Sequence, residues 1–316
     1  MKPLLVITGP TASGKSNLAL HLAKNLGGEI VSCDSMQIYR GCDIATAKPT
    51  PLERARIPHH LLDVCDPDER FSAAQWAIEA REAIENIEKG ARTPIVCGGT
   101  GFYLRALLQP QTLAEVAPDA ALRAQLEAEL ETRGALAMHE TLAETDAKAA
   151  ARLHPNDSFR VLRALEVALG EKNALSSPET EWAPLIFALD WPREVLYHRI
   201  NERVEAMMEA GFLEELQFLA GKWGRDAPAL GGVGYKQMMP VLDDESNLSE
   251  CLEAWKRDTR RYAKRQRTWF RHQLPVRWLD GAREAQELAG DVARVFLDGE
   301  KPQRHGDTEE TKSFCD

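Results

Sequence analysis

The chain has 316 residues, 44% of them hydrophobic and 28% charged, and a formal net charge of −10 at pH 7. That is enough chain for one large domain or two smaller ones around a sizeable core, which excludes a disordered protein, and no apolar run approaches the roughly 20 residues of a membrane-spanning helix. The acidic balance excludes a generally adhesive nucleic-acid binder while leaving room for a local basic site.

Met1-Lys2-Pro3 leads directly into the first apolar run, without room for a signal peptide. The cysteines, at positions 33, 42, 65, 97, 251 and 315, include no C-x-x-C pair, so neither a zinc site nor a disulfide framework is indicated. Free thiols in a reducing compartment follow, and a cytoplasmic monomer without membrane contact is expected.

Leu4-Leu5-Val6-Ile7-Thr8 reads as a short apolar strand. Behind it stands Gly9-Pro10-Thr11-Ala12-Ser13-Gly14-Lys15-Ser16, a full G-x-x-x-x-G-K-[ST] loop, and from Asn17 to Asn25 an amphipathic helix begins. Gly9 and Gly14 let the backbone curl until its N–H groups converge on phosphate oxygens, and the helix N-terminus adds about half a positive charge. Lys15 would reach the terminal phosphates, and the Ser16 hydroxyl can sit on Mg²⁺. The motif implies a bound polyphosphate. It does not identify ATP, nor the bond that breaks.

Glu29 to Cys33 reads as a second strand, ending at Asp34-Ser35-Met36-Gln37, and His60 to Val64 as a third. A helix follows, with Ser72 as N-cap, Gln75 closing a capping box and Gly90 past its end. Pro94 to Cys97 is a further strand that runs into Gly98-Gly99-Thr100-Gly101. Alternating strands and helices predict an α/β fold: a P-loop NTPase-like parallel sheet with helices on both faces. Ligands in such sheets bind at the carboxyl ends of the strands, where the phosphate loop, Asp34 and Thr100 all fall. Asp34 there can hold Mg²⁺ through water, act as a base, or only cap a turn. Gln37 has an amide edge suited to adenine. Thr100, between glycines, is either a hydroxyl brought close to a ligand or part of a turn.

From Ala117 to Gly170 the chain is rich in Ala, Leu and Glu, with helical periodicity and no strand signal. Pro118-Asp119 opens one helix that Gly134 closes, and Asn156-Asp157 caps another. An all-helical insertion is expected over residues 113–182, dividing a catalytic core made of 1–112 and 183–298. Leu185 to Leu189 returns to strand texture. Pro192 then starts a long helix with Arg199 and Arg203 on one face, able either to clamp a diphosphate or to be a solvated face. Between Lys256 and His272, eight cations (Lys256, Arg257, Arg260, Arg261, Lys264, Arg265, Arg267 and Arg271) meet one anion, Asp258, with Tyr262, Trp269 and Phe270 interleaved. Cations for phosphates and aromatic faces for bases suit single-stranded RNA. So many like charges imply an anionic partner. Residues 299–316 are polar and without apolar pattern, and a disordered tail is expected.

Taken together, these segments resemble the bacterial tRNA dimethylallyltransferase family, from Leu4 to about Leu279. The resemblance rests on the phosphate loop, Asp34-Ser35-Met36-Gln37-Ile38-Tyr39, Ala45-Thr46-Ala47-Lys48-Pro49 and Gly98-Gly99-Thr100-Gly101-Phe102-Tyr103. It continues in His154-Pro155-Asn156-Asp157, Arg163-Ala164-Leu165-Glu166, Gly231-Gly232-Val233-Gly234-Tyr235-Lys236-Gln237 and the run Tyr262 to Arg271. The family usually has Gln-Arg where this chain has Phe159-Arg160, which puts one polar RNA contact in doubt or replaces it by stacking.

The resemblance implies transfer of a dimethylallyl group from dimethylallyl diphosphate to N6 of the adenosine next to the tRNA anticodon. Mg²⁺ and the phosphate loop, residues 9–16, would then serve the donor's diphosphate, with Lys15, Ser16, Arg199 and Arg203. Asp34 matches the proposed general base and Thr100 a catalytic-centre position. Asp34 to Gln37 and Phe159, Arg160, Val161, Leu162 and Arg163 match stretches that touch tRNA. On the basic segment Lys264, Arg265, Gln266, Arg267, Trp269 and Arg271 are the expected RNA contacts. Two other readings are a P-loop kinase acting on a small molecule, which leaves the basic aromatic segment idle, and a nucleotide-switched RNA-binding protein, which leaves Asp34 and Thr100 without work.

Overall fold

A computed structural model describes residues 1–110, 119–170, 181–243 and 247–298. Pro118 and the tail 299–316 lie outside the described residues. The chain divides into two compact units, Met1–Leu108 with Glu181–Asp316, and Gln109–Thr180.

The larger unit opens with β1 (Lys2–Thr8), α1 (Lys15–Leu26), β2 (Gly28–Ser32), α2 (Pro51–Arg56), β3 (His59–His60), α3 (Ala73–Lys89), β4 (Thr93–Cys97) and α4 (Gly101–Leu108). The smaller unit holds α5 (Ala120–Thr145), α6 (Ala147–Ala150) and α7 (Ser158–Leu169). The larger unit resumes with β5 (Trp182–Asp190), α8 (Arg193–Glu209), α9 (Phe212–Trp223), α10 (Tyr235–Met238), α11 (Leu248–Gln273), β6 (Arg277–Asp280) and α12 (Ala285–Leu297).

The sheet has the order β3-β2-β4-β1-β5-β6, and every pairing is parallel. Central strands covered on both faces have to be apolar throughout, which is why Leu4, Leu5, Val6 and Ile7 are all fully buried. The side chains alternate between faces. Leu5, Ile7, Ile30, Ile95 and Phe187 pack with Leu18 and Leu22 of α1 and Leu288 and Val292 of α12. On the other face α3 lies against β2 and β4, and its Trp76 indole donates to Ser32 O at 3.0 Å and stacks on Tyr103.

The third strand is shorter than the sequence suggests. After His60 the chain leaves the sheet, because Leu61 and Asp63 take φ of 61° and 58°, and Asp63 turns to pair with Lys48 and Arg54. Ser72 does cap α3, accepting from Gln75 N at 3.1 Å.

The smaller unit has its own core of Leu126, Met138, Leu142, Val161, Leu162 and Leu165. Gly134, at φ 80° and ψ 166°, breaks α5 in the middle. Buried Glu166 joins two helices by accepting from Arg123 at 3.2 Å and Arg163 at 2.7 Å.

The ends of β2 and β4 touch at Gly98, where an added Cβ would lie 2.0 Å from Cys33 O. Gly98→Ala must push these strand ends apart and is expected to lower stability by about 1–3 kcal/mol, as overpacking does. Gly290→Ala on α12, where a Cβ meets nothing within 4 Å, should be neutral or slightly stabilising. Urea midpoints of the two variants check the contrast.

Candidate active site

The phosphate loop joins β1 to α1, and its backbone shape is set by Gly9 (φ 133°), Ala12 (φ 62°) and Gly14 (φ 96°). Three side chains from later in the chain brace it. Gln266 Oε1 on α11 accepts from Thr11 N at 2.8 Å, the Trp191 indole donates to Ser13 O at 2.9 Å, and Arg199 Nε donates to Ala12 O at 3.0 Å. Lys15 Nζ reaches back to Pro10 O at 3.5 Å. The Ser13 hydroxyl is buried without a hydrogen-bond partner among the described residues.

Facing the loop are the ends of β2 and β4. Asp34 Oδ1 accepts from Met36 N at 2.9 Å, the Asx turn that the sequence left open. Thr100 Oγ1 accepts from Ser35 N at 3.0 Å and lies 3.3 Å from Ser35 Oγ. Tyr262 on α11 also shares a hydrogen bond with Thr100, and burial pushes its phenol well above the usual range. Gln266, held to Thr11 by its oxygen, donates from Nε2 to Gly99 O at 2.9 Å. One amide therefore links the two strand-end loops.

A cavity of about 320 Å³ lies between them. Its lining includes the polar side chains of Lys15, Ser16, Asp34 and Arg203 and the apolar side chains of Ile200, Val204, Met207, Val233 and Trp255, with the ring of Tyr235. Burial lowers the pKa of the Lys15 ammonium, and the Asp34 carboxylate opposes that shift. Arg203 is lowered by burial in the same way, again opposed by Asp34. Two desolvated cations with one carboxylate leave a net positive pocket, which suits a polyanion.

Several expected site residues stand elsewhere. Arg199 does not line the cavity with Arg203; its guanidinium stacks 4.4 Å over Trp191 and props the loop. Gln37 lines the cavity, but Ser32 Oγ donates to its oxygen and both its N–H groups are given to Thr46 O and Ala47 O, so no free adenine-reading edge is left. Gln266 is buried and spent on the two loops, so it is not an exposed RNA contact. Val161 and Leu162 are buried in the core of their unit, which leaves Phe159, 70% exposed, with Arg160 and Arg163 at the surface of α7.

The basic helix is also less unbalanced than its sequence. Five of its eight cations meet carboxylates: Lys256 meets Glu205 and Glu253, Arg257 and Arg261 meet Asp258, and Arg267 and Arg271 meet Asp190. The partners on β5 and α8 are distant in sequence, so the argument from self-repulsion to an anionic partner falls. Lys264 and Arg265 remain exposed. Trp269 packs over Gly101, where a Cβ would lie 2.4 Å from the ring, and beside exposed Phe102, with Arg105 over both rings.

A family model described as IPP transferase matches residues 37–273. The chain belongs to that family. A second model, described as isopentenyl transferase, matches residues 2–63 and takes in the phosphate loop. The IPP transferase match spans Asp34's neighbours Gln37 to Tyr39, Thr100, Arg203 and all of α11. The chain is 45% identical over 289 residues to a tRNA dimethylallyltransferase of an Exiguobacterium species, covering 91% of this chain and 93% of that one. It is 41% identical over 285 residues to the tRNA dimethylallyltransferase of Bacillus subtilis, with 88% and 91% covered. Among solved structures, the tRNA isopentenylpyrophosphate transferase of Bacillus halodurans matches with TM-score 0.71 at 39% identity, over 95% of this chain and 96% of that one. A eukaryotic dimethylallyltransferase acting on tRNA matches with TM-score 0.80 at 28% identity, over 96% and 82%.

Sequence reasoning missed Gln266 as a strut, the Tyr262–Thr100 contact and the exposed ring of Phe102. Only Phe102 left a signal, as an apolar residue beside the glycines of a strand end. Gln266→Leu would leave Thr11 N–H and Gly99 C=O without partners and is expected to cost about 2–5 kcal/mol. Thermal melting should report that loss, and titration calorimetry with inorganic pyrophosphate should show weaker binding as the loop loosens.

Proposed function

We propose that this chain transfers a dimethylallyl group from dimethylallyl diphosphate to N6 of the adenosine next to the anticodon in tRNA, releasing diphosphate. The observation that carries the reading is the mixed lining of one cavity: the cations Lys15 and Arg203 with Ser16 and Asp34, and a set of apolar side chains. The first suits a diphosphate, the second a short isoprenoid chain. Names of relatives and solved neighbours, tRNA dimethylallyltransferase and tRNA isopentenylpyrophosphate transferase, support it.

In the step proposed, N6 attacks the allylic carbon as its C–O bond breaks. The bonding electrons leave with the diphosphate, and a proton passes from N6 to Asp34. Lys15 and Arg203 stabilise the charge that grows on the leaving group, an effect strengthened by their desolvation. The N6 lone pair is conjugated with the ring, so a base at hydrogen-bond range matters. The target base has to leave its stack to reach the cavity, and apolar walls keep water from the allylic centre.

The donor set also fits Mg²⁺. Ser16 and Asp34 offer oxygen ligands beside the place for a diphosphate, and no cluster of three His, Cys, Asp or Glu side chains stands among the described residues to hold a metal alone. That suits an ion that takes most of its ligands from phosphate and water. When bound, it would neutralise charge on the diphosphate.

For tRNA, Ser35 and Met36 line the cavity, and Lys264 and Arg265, with exposed Arg271 beside its partner Asp190 and the Phe102–Trp269 pair, offer charge and ring faces at the surface. Phe159 and Arg160 on α7 are the surface contacts proposed for the insertion, which we read as a clamp on the anticodon arm. A kinase would leave the apolar lining of the cavity unused, and a non-catalytic switch would leave Asp34 idle. Labelled dimethylallyl diphosphate or ATP, with and without tRNA, separates the three by which label moves and where. We propose a monomer as the active form.

Lys15→Ala is expected to abolish turnover while tRNA binding and thermal stability stay near the parent's. Near-normal prenyl transfer by this variant would remove the donor site from the phosphate loop. Asp34→Asn keeps the turn to Met36 and should slow single-turnover chemistry by roughly 10²–10⁴-fold, the usual worth of a general base, with little change in tRNA affinity. An unchanged chemical rate with weaker tRNA binding would make Asp34 a contact and not a base.

A further inference from the structure

We propose that Glu215 is a positioning residue, which holds the turn at residues 43–47 as part of the cavity wall and so limits the length of prenyl chain admitted; this rests on the function proposed above.

Glu215 lies in the first turn of α9, away from the phosphate loop. Its Oε2 accepts from Asp43 N at 2.9 Å and Ile44 N at 2.7 Å, and its Oε1 from Ala45 N at 3.5 Å. Three consecutive backbone N–H groups converging on one carboxylate form an anion-binding concavity, occupied here by the protein's own side chain. Tyr235, fully buried, donates to the same Oε1 at 2.6 Å.

The opposite end of the turn is held by donors. Gln37 Nε2 donates to Thr46 O at 3.1 Å and Ala47 O at 3.3 Å. Lys48, with only 1% of its side chain exposed, meets the Asp43 and Asp63 carboxylates at 2.7 Å each and donates to Tyr39 O at 2.6 Å. The turn thus has an anion at its N–H end and donors at its C=O end, which fixes it against its own dipoles. Ala47 is kept at φ 45°, a strained position for a residue with a Cβ.

What the turn presents is small. Ala45, Thr46 and Ala47 line the cavity, as do Met207, Tyr235 and Trp255. Beside Tyr235 the packing is tight: a Cβ on Gly234 would lie 2.9 Å from the Trp255 indole. Chain length is then decided by how firmly the turn is held, and Glu215 joins the turn directly to Tyr235, which also lines the cavity.

Glu215→Gln keeps the size of the side chain but removes its charge and sets an NH₂ donor against N–H donors. Three measurements on the full-length variant test the idea. Hydrogen exchange at the amides of 43–45 should accelerate at least about tenfold, as expected when charge-assisted hydrogen bonds are lost. The kcat/KM for dimethylallyl diphosphate should fall by roughly 10–100-fold for the same reason. That for geranyl diphosphate, five carbons longer, should fall less or rise. Tyr235→Phe, which removes one of the four hydrogen bonds, should move the donor ratio in the same direction by less, and it decides the matter if Glu215→Gln does not fold. A purely structural role would lower both donors alike, so an unchanged donor ratio in the folded variants overturns the proposal, as does unchanged exchange at 43–45. The wild-type protein separates the two claims: if it fails to prenylate tRNA from dimethylallyl diphosphate, the proposed function falls, whereas normal transfer with no shift in the variants removes only the role of Glu215.

Discussion

The side-chain amide of Gln266 accepts from Thr11 N and donates to Gly99 O, and it is only 7% exposed. Those two backbone groups belong to loops that leave different strands, and each would otherwise be a buried polar group without a partner. The pairing sets the spacing between the phosphate loop and the Gly98-Gly99-Thr100-Gly101 turn. It also fixes the rotation of α11, which brings Tyr262 to Thr100 and Trp269 onto Gly101. The glycines follow from the same constraint, since a Cβ at Gly99 would lie 2.3 Å from Gln266 Nε2. These parts are held together by a side chain that itself lines the cavity.

Around that frame the charges are arranged against the protein's overall sign. A chain of net charge −10 gathers Lys15 and Arg203 in one cavity, where loss of water lowers both pKa values and Asp34 is the nearby opposing charge. On α11 the reverse happens. Carboxylates from β5 and α8 neutralise cations that looked unbalanced in sequence, and Asp190 takes both Arg267 and Arg271. The exposed positive surface is therefore smaller than the count of Lys and Arg suggests, and more localised, at Lys264 and Arg265. A positive pocket in an acidic body favours selective over general attraction of anions.

Local chemistry made much of this legible in the sequence. The phosphate loop requires glycines at fixed offsets between a strand and a helix, so its place and its ligand class follow from Gly9 to Ser16 alone. The parallel sheet follows from continuous apolar runs such as Leu4 to Ile7, and Ser72 marks the start of α3 because an N-cap is a local hydrogen bond. The position of Asp34 and Thr100 at the binding edge follows from the topology of such sheets. The third strand was overread, because the chain turns at Leu61 and Asp63 with positive φ, and Asp63 pairs with Lys48 and Arg54, contacts that no local pattern encodes.

What only the tertiary structure decided concerns partners far apart in the chain. Gln266 and Thr11 are 255 residues apart, and Glu215 and Ile44 are 171 apart. In sequence, Gln266 stands in a basic segment and reads as a surface residue; folded, it is a strut. Gln37 reads as a free amide edge and is instead consumed by its own loop. Arg199 and Arg203, one helical turn apart, part company, one bracing a loop carbonyl and the other lining the cavity. Periodicity and motif chemistry report what a residue offers. Which hydrogen-bonding partner claims that offer is set by packing between distant segments, so the sequence by itself determined the sheet, the phosphate loop and the class of ligand, and the fold decided which side chains were left free to meet it.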